Sequence, residues 1–288
     1  MAGPAPSGAG GELTRAIILL AGYGARRLPI TKAIEKCMLP IGNRPIVDYV
    51  VEDCLRAGIT DITFVVGEQS EQLRTYYGEN QKLEAYLKRV GKTEYLEQVQ
   101  NPAQKATFRY VVQTADMPYG TAVPVALCAD AIGAEEQIIV ASGDDFEYSK
   151  DGSNSELARL IEGVQAAGAT AGLLATNIPR ERVGKFGVIE LDEAQCFRRI
   201  IEHPDPATAP STLINISKYL FDKQLFEFTQ QVMSEPPAAN GEYQVISALN
   251  KYVAAGNSLP VIPIRGEYLD GGSLEGWLHA NNVVVNGV

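Results

Sequence analysis

The feature that most constrains the fold is an alternation along the chain between short β-branched runs and helix-like segments. The strand-like runs are "RAIILLA" (15–21), "DITFVVG" (61–67), "TFRYVVQ" (107–113) and "QIIVAS" (137–142). Between and after them, apolar residues recur at helical spacing in segments that include 45–58, 121–132 and 156–168. This alternation is typical of βαβ units, which build a mostly parallel sheet with helices on both faces. The sequence therefore predicts a Rossmann-like α/β fold with a twisted parallel sheet.

From about residue 186 the pattern changes to consecutive strand-like runs, which predict a mixed or antiparallel extension of that sheet. These runs are "FGVIEL", "CFRRIIEH" and "STLINISKYLF", followed by helix candidates at 222–234 and 242–255. The polar segment 79–104 predicts a helical insertion between strands. Because no linker separates the halves, we expect a flexible tail at 1–14 and one domain at 15–288. Its first part (15–150) would bind a nucleotide and its second part (151–288) a sugar phosphate.

Composition excludes several classes of function. The chain carries 35 acidic residues against 25 Lys and Arg, and this net charge of -10 argues against nucleic-acid or membrane partners. Its apolar runs are shorter than the roughly 18 residues that a membrane span needs. The N-terminal leader lacks the apolar core of a signal peptide. The four cysteines are far apart, which is typical of reduced thiols, so we expect a cytoplasmic protein.

A basic, glycine-containing loop follows the first predicted strand. The stretch "AGYGARRLPITKAIEKCMLP" (21–40) places Gly22 and Gly24 before Arg26 and Lys36. A glycine turn lets backbone N–H groups approach a nucleotide, and converging cations suit a triphosphate. The loop matches the dinucleotide pattern GxGxxG only halfway, and the P-loop pattern is absent. The residues themselves leave two interpretations open, a solvated surface loop with scattered cations or a triphosphate-binding loop.

The stretch "LLAGYGARRLPITKAIEKCMLPIGNRPIVDYVVEDCLRAGI" resembles the signature of nucleoside-triphosphate–sugar-1-phosphate nucleotidyltransferases, specifically bacterial UTP–glucose-1-phosphate uridylyltransferases. The resemblance continues through "YGTAV", "FGVIE", "IEHP", "GEYQVISALN" and "LDGG". The insertion "KLEAYLKRVGKTEYLEQVQ" is similar to that of the uridylyltransferase subgroup. The resemblance implies transfer of UMP from UTP to glucose 1-phosphate, which gives UDP-glucose and pyrophosphate. It also implies Mg²⁺ as cofactor and a homodimeric or homotetrameric assembly.

The resemblance also implies a role for each matched residue. Arg26 would hold the leaving pyrophosphate, and Lys36 would offset charge that develops on the α-phosphate. The nucleotide-binding positions are Ala21, Gly22, Gly24, Gln113, Gly120 and Asp144, with the Gln113 amide reading the uracil edge. The metal ligands would be Asp144 and Asp270, while Gly187 and Glu202 would contact the sugar. We therefore expect the two cations of the loop to face the two aspartates across one pocket, with Asp145 as a spare carboxylate or a partner of Asp144.

Three positions depart from the family pattern. His203 stands where the family has the lysine that grips the sugar phosphate, Glu35 replaces a proline, and Ala25 replaces a threonine. A permanent cation at 203 has thus become a group that is mostly neutral at pH 7 unless an anion faces it. His203 would still act on the sugar phosphate, or the acceptor would be another phosphate or phosphonate compound, or the chain would be a nucleotide-sugar-binding regulator without turnover. The intact Arg26, Lys36 and aspartates favour an enzyme, with dTTP as the alternative nucleotide.

Overall fold

The computed structural model describes residues 13, 15–131, 136–150, 152 and 155–287. Of the predicted N-terminal tail, everything except Leu13 lies outside the described residues. The strands are β1 (Arg15–Leu19), β2 (Pro40–Ile41), β3 (Arg44–Pro45), β4 (Asp61–Gly67), β5 (Thr107–Gln113), β6 (Ile138–Ser142), β7 (Asp145–Tyr148), β8 (Gly172–Asn177), β9 (Gly187–Leu191), β10 (Phe197–Glu202), β11 (Leu213–Phe221), β12 (Val261–Pro263) and β13 (Glu267–Asp270). The α-helices are α1 (Ile46–Arg56), α2 (Gln72–Tyr76), α3 (Gln81–Arg89), α4 (Leu96–Gln104), α5 (Ala122–Ala126), α6 (Glu156–Ala166), α7 (Lys223–Ser234), α8 (Val245–Ala254) and α9 (Leu274–Asn281).

The central sheet has the strand order β10-β9-β11-β6-β1-β4-β5, and β8 pairs with both β11 and β12. Strands β6, β1, β4 and β5 are mutually parallel. Strand β11 runs antiparallel to β6, β8 and β9, and β9 is antiparallel to β10. The predicted α/β fold with a parallel sheet and an antiparallel extension is confirmed.

The sheet is buried on both faces because helices cover each of them. Adjacent residues of the central strands therefore point into different apolar layers. In β1, Ile17 packs in one layer with residues of α5, α7 and α8, whereas Ile18 packs in the other with residues of α1 and α6. Burial of each such side chain stabilises the fold by about 1.5–3 kcal/mol. The near-continuous apolar run of β1 follows from this double coverage.

The helix predicted over 121–132 is wrong in its length. Helix α5 ends at Ala126, and the chain continues as a turn and a 3₁₀ segment, Ala129–Ala131. The Cys128 N–H donates to the Val125 carbonyl three residues back, so the last turn tightens from α to 3₁₀ geometry. The insertion over 79–104 is confirmed as helical and consists of α3 and α4.

The parallel strands fix where a site can form. Because β1, β4, β5 and β6 run in the same direction, their last residues lie along one edge of the sheet. Strand β7 leaves this edge directly after β6 and pairs with β13, which brings Asp270 opposite Asp145. In the described part of the chain, no helix is long and apolar enough to cross a membrane.

Candidate active site

The loop after β1 is a series of 3₁₀ turns, Ala25–Arg27, Ile30–Lys32 and Lys36–Met38. It begins at Gly24, whose φ of 66° lies in the left-handed region. A Cβ on this residue would come within 3.0 Å of Thr31 and 3.1 Å of the Lys36 Cβ. The Thr31 hydroxyl donates to the Gly24 carbonyl over 2.9 Å. The glycine therefore lets the loop fold back so that Lys36 lies against its start.

The two arginines of this loop have different environments. Arg27 is buried, donates to the Ser273 carbonyl over 2.7 Å and stacks on Trp277 at 5.0 Å, which fastens the loop to α9. Burial lowers the pKa of Arg27, and the Asp270 carboxylate partly offsets this effect. Arg26 is exposed and forms no hydrogen bond or ion pair with another described residue. Arg26 is thus the arginine whose guanidinium remains available for an external anion.

Lys36 and Asp144 form the first half of the site. The Lys36 ammonium pairs with Asp144 Oδ2, and the Ser142 hydroxyl donates to Asp144 Oδ1. Burial alone would raise the pKa of Asp144, but the Lys36 charge and the hydrogen bonds from Lys36 and Ser142 outweigh it and lower that pKa to about 2. Asp144 is therefore a carboxylate at any physiological pH.

Asp270 completes this group from the far end of the chain. Its Oδ1 accepts from the Gly272 N–H over 2.7 Å, and its Oδ2 accepts from the Ser273 hydroxyl over 2.7 Å. A Cβ on Gly272 would lie 2.9 Å from Lys36 Nζ, 3.0 Å from Asp270 Oδ1 and 3.1 Å from Asp144 Oδ2. The ammonium of Lys36 and one carboxylate oxygen each of Asp270 and Asp144 thus surround one small space. This space is open because Gly272 has no side chain to occupy it.

The donor set at this point suits a hard divalent cation. Two carboxylate oxygens from β13 and the β6–β7 connection face a common space, and Mg²⁺ takes few protein ligands because it retains water and phosphate oxygens. No cluster of three or more His, Cys, Asp or Glu that could hold a metal occurs in the described residues. A site with two carboxylates leaves the remaining ligand positions to a phosphorylated substrate and water.

A buried ionic cluster that the sequence did not reveal lies behind Asp144. The Lys218 ammonium contacts Asp145 Oδ1 at 2.5 Å and Glu147 Oε1 at 3.8 Å, and the Tyr268 hydroxyl donates to Asp145 Oδ2 over 3.0 Å. Burial, together with Asp145, raises the pKa of Glu147 to about 8 although Lys218 opposes this shift. Asp145 is thus held by Lys218 and Tyr268, whereas the sequence left open whether it is a spare carboxylate or a partner of Asp144. The sequence signal for Lys218 is that it is the single charged residue of β11, which is mostly apolar.

The predicted base-binding residues flank the same edge of the sheet. Gln113 ends β5, and its amide donates to the Pro118 carbonyl over 3.4 Å. Gly120 has a φ of 134°, and a Cβ there would lie 2.2 Å from the Tyr243 carbonyl oxygen. After β1, Ala21 is partly exposed and Gly22 is exposed. The close approach at Gly120 explains why "YGTAV" and "GEYQV", far apart in sequence, form one structural unit.

The predicted sugar-binding residues are direct neighbours. Gly187 and Glu202 are register partners of β9 and β10, and a Cβ on Gly187 would lie 2.5 Å from Glu202 Oε1. Strand β11 pairs with β6 at Lys218 and, four residues earlier, with β9 at Ile214. Because β11 runs antiparallel to β6, this earlier part of β11 extends beyond the carboxyl end of β6. Gly187, at the start of β9, therefore lies beyond that end as well. The sugar-side residues therefore extend the edge that carries Asp144.

His203 is held by its backbone and by both ring nitrogens. Its N–H donates to the Phe186 carbonyl over 3.1 Å, Nδ1 lies 3.2 Å from the Gly184 carbonyl, and Nε2 lies 3.4 Å from Glu202 Oε2. Both ring nitrogens thus face hydrogen-bond acceptors. The His203 ring therefore lies between the Gly184 carbonyl and the Glu202 carboxylate.

The fold and the site define an α/β protein whose parallel strands present a glycine turn, a lysine and two converging aspartates at their carboxyl edge. The family described as nucleotidyl transferase matches residues 15–286. A UTP–glucose-1-phosphate uridylyltransferase from Pseudomonas aeruginosa is 31% identical over 266 residues, which are 91% of this chain and 92% of the relative. The chain belongs to the nucleotidyl transferase family and is an enzyme of the UTP–glucose-1-phosphate uridylyltransferase-like type.

Solved structures agree with this assignment. A UDP-glucose pyrophosphorylase complexed with UDP-glucose is 28% identical, has a TM-score of 0.80 and covers 96% of this chain and 100% of that one. A UTP-bound UGPase from Acinetobacter baumannii has a TM-score of 0.84 at 23% identity, with 96% and 94% of the two chains covered, and it shows the same fold.

Proposed function

We propose that the protein transfers the uridylyl group of UTP to glucose 1-phosphate. A phosphate oxygen of the sugar phosphate attacks the α-phosphorus of UTP, the bond to the β-phosphate oxygen breaks, and UDP-glucose and pyrophosphate form. The observation that carries the proposal is the convergence of Lys36 Nζ, Asp144 Oδ2 and Asp270 Oδ1 around Gly272. The names of the relatives add the identity of the nucleotide and the sugar.

Lys36 supplies the charge that the reaction requires at the α-phosphate. During attack, negative charge grows on the oxygens of this phosphate and on the departing pyrophosphate. Lys36 is paired with Asp144, which keeps the ammonium at the site. The exposed Arg26, close in sequence, receives the pyrophosphate, and the neighbouring Arg27 cannot do so because Ser273 and Trp277 hold it.

Asp144 and Asp270 are the residues that would hold Mg²⁺. When bound, the ion neutralises phosphate charge and orients the triphosphate for in-line attack. The low pKa of Asp144, about 2, keeps this ligand ionised.

Gln113 and Gly120 contribute to nucleotide selection, and Gly187 and Glu202 contribute to sugar binding. The Gln113 amide carries a donor and an acceptor, which match the edge of uracil. Glu202 accepts hydrogen bonds from hexose hydroxyls, and the missing side chain of Gly187 leaves room for the Glu202 carboxylate. His203, exposed at its ring, contacts the sugar phosphate in place of the family lysine.

A second candidate keeps the same chemistry but changes the acceptor. The observation that favours it is His203, whose exposed imidazole replaces a permanent cation at the phosphate-gripping position. Another sugar 1-phosphate, or a phosphonate, would then be the preferred acceptor. A panel of acceptors distinguishes this candidate from glucose 1-phosphate by relative kcat/KM.

The test is pyrophosphate release by the purified protein with Mg²⁺, with UTP or dTTP, and with a panel of sugar 1-phosphates. We expect turnover with UTP and glucose 1-phosphate and none without a divalent cation. Lys36→Ala should lower kcat by about 10²–10³-fold, as the loss of a charge-stabilising donor does. The matched control is Lys32→Ala, an exposed lysine of the same loop, which should stay within about twofold. Tight UDP-glucose binding without pyrophosphate release would favour a regulator instead.

A further inference from the structure

Glu35, the residue before Lys36, is bound on both its backbone and its side chain to the segment that follows β4. The Glu35 N–H donates to Gln72 Oε1 over 2.8 Å, and Glu35 Oε1 accepts from the Gln72 and Leu73 N–H groups at 2.7 and 3.3 Å. Glu35 Oε2 accepts from the Ser70 hydroxyl over 2.6 Å. Glu35 and Gln72 therefore hold each other reciprocally, with buried Ser70 as a third member.

This set of contacts, which we name the Glu35 clamp (Glu35, Ser70 and Gln72), fixes the part of the loop that directly precedes Lys36. Lys32 and Ala33 are exposed, and Gln72 also donates through Nε2 to the Ala33 carbonyl over 2.9 Å. Glu35 directly precedes the 3₁₀ turn Lys36–Met38. The clamp thus fixes the position of the Lys36 Cα. A fixed Cα limits the range of positions that the ammonium at the end of this long side chain can reach.

The clamp also connects this loop to the strand that carries Gln113. Gln72 is the first residue of α2, and Arg74 in the same helix lies over the Tyr110 ring of β5 at 4.1 Å. Tyr110 is three residues before Gln113 in that strand. Contacts of α2 therefore join the residue before Lys36 to β5, the strand that ends at the predicted base-reading residue.

We propose that Glu35 is a positioning residue, which holds Lys36 in register with Asp144 and with a bound nucleotide. This inference rests on the proposed function, in which Lys36 acts on the α-phosphate. Glu35 itself does not face the site, because both of its carboxylate oxygens are engaged by the 70–73 segment. These hydrogen bonds restrict the backbone of the loop directly before Lys36.

The first test compares Glu35→Ala with Glu35→Gln. The alanine variant loses the three hydrogen bonds that the Glu35 carboxylate accepts, so kcat should fall about tenfold while KM for UTP changes less than threefold. The glutamine variant keeps an oxygen for the Gln72 and Leu73 N–H groups, and Ser70 can accept as well as donate, so it should restore most of kcat. The control is Glu71→Ala, an exposed acid of the same segment, which should resemble the parent protein.

The second test measures positioning without turnover. Amide hydrogen exchange over residues 33–39 should become faster in Glu35→Ala, and trypsin should cleave after Lys36 more readily, while the melting temperature of the whole protein changes little. Unchanged exchange in Glu35→Ala would overturn the clamp. Full kcat together with faster exchange would overturn its role in positioning.

A double variant separates this inference from the proposed function. In a Lys36→Ala background the additional Glu35→Ala change should cost nothing further, because the positioned group is already absent. An additional loss would show that Glu35 acts through another residue. If Lys36→Ala itself kept full activity, the proposed role of Lys36 would fail, whereas hydrogen exchange would still report on the clamp.

Discussion

The substitution Gly272→Ala tests the central feature of the site with a single methyl group. The new Cβ would lie 2.9 Å from Lys36 Nζ, 3.0 Å from Asp270 Oδ1 and 3.1 Å from Asp144 Oδ2, whereas ordinary Cβ contacts begin at 3.4 Å. Each of the three atoms must therefore retreat by a few tenths of an ångström. Asp270 cannot yield freely, since Gly272 and Ser273 hydrogen-bond its two oxygens.

The size of the effect follows from how strictly this reaction depends on geometry. Displacement of reacting groups by about 1 Å costs on the order of 10²-fold in rate. Smaller shifts shared by three atoms should lower kcat about 10–100-fold, which corresponds to about 1.4–2.7 kcal/mol of lost transition-state stabilisation. The Mg²⁺ concentration for half-maximal activity should rise as well, because both carboxylates move.

The assay is steady-state pyrophosphate release at several Mg²⁺ concentrations, with circular dichroism to verify the fold. The matched control is Gly67→Ala at the end of β4, where a Cβ would meet only the Ala21 carbonyl at 3.8 Å. We expect the control to stay within about twofold of the parent. If Gly272→Ala kept full kcat, or if the two variants lost activity equally, the convergence at Gly272 would not be the reacting centre.

Three further outcomes are expected. The unfolded chain ionises Glu147 near its ordinary pKa of 4.5, whereas the folded protein retains the proton to about pH 8, so stability falls as pH rises between these values. In urea unfolding from pH 5 to 9, Glu147 should lower the free energy of unfolding by at most about 1.4 kcal/mol per pH unit. Glu147→Gln should remove this contribution, and an unchanged pH dependence would contradict the raised pKa of Glu147. His203→Lys should preserve or improve turnover with glucose 1-phosphate at pH 8, because lysine is a permanent cation at that pH; a large loss would mean that His203 serves another acceptor. Gly187→Ala should raise KM for the sugar phosphate more than KM for UTP, because its methyl would displace Glu202; equal effects on both would argue against a sugar site there.

Much of the fold could be predicted because its elements are locally encoded. The runs 61–67 and 107–113 form strands with the predicted bounds, since β-branched and aromatic residues mark strands that pack within a sheet. The parallel order follows from the strand–helix alternation, and the loop residues were identified by their resemblance to a family signature. Helix α5 was overpredicted because its apolar spacing does not reveal where α geometry tightens to 3₁₀.

Contacts between distant segments could not be predicted, because one sequence contains no record of which residues meet. Lys218 reaches Asp145 only because β11 pairs with β6, and Asp270 reaches Asp144 only because β13 pairs with β7. Pairing at such separations depends on the packing of the whole chain.

The sequence by itself determined the class of fold, the glycine turn and the charged residues of the loop after β1. Tertiary structure alone decided which of those residues are free to act. Successive side chains of a 3₁₀ turn point about 120° apart, so Arg27 is buried against α9 while Arg26 remains exposed. Likewise, Glu35 is only a departure from the family pattern in sequence, but in the fold it forms a reciprocal clamp with Gln72. The physical reason is that side-chain type is set locally, whereas burial, partners and charge state depend on neighbours that only the folded chain supplies.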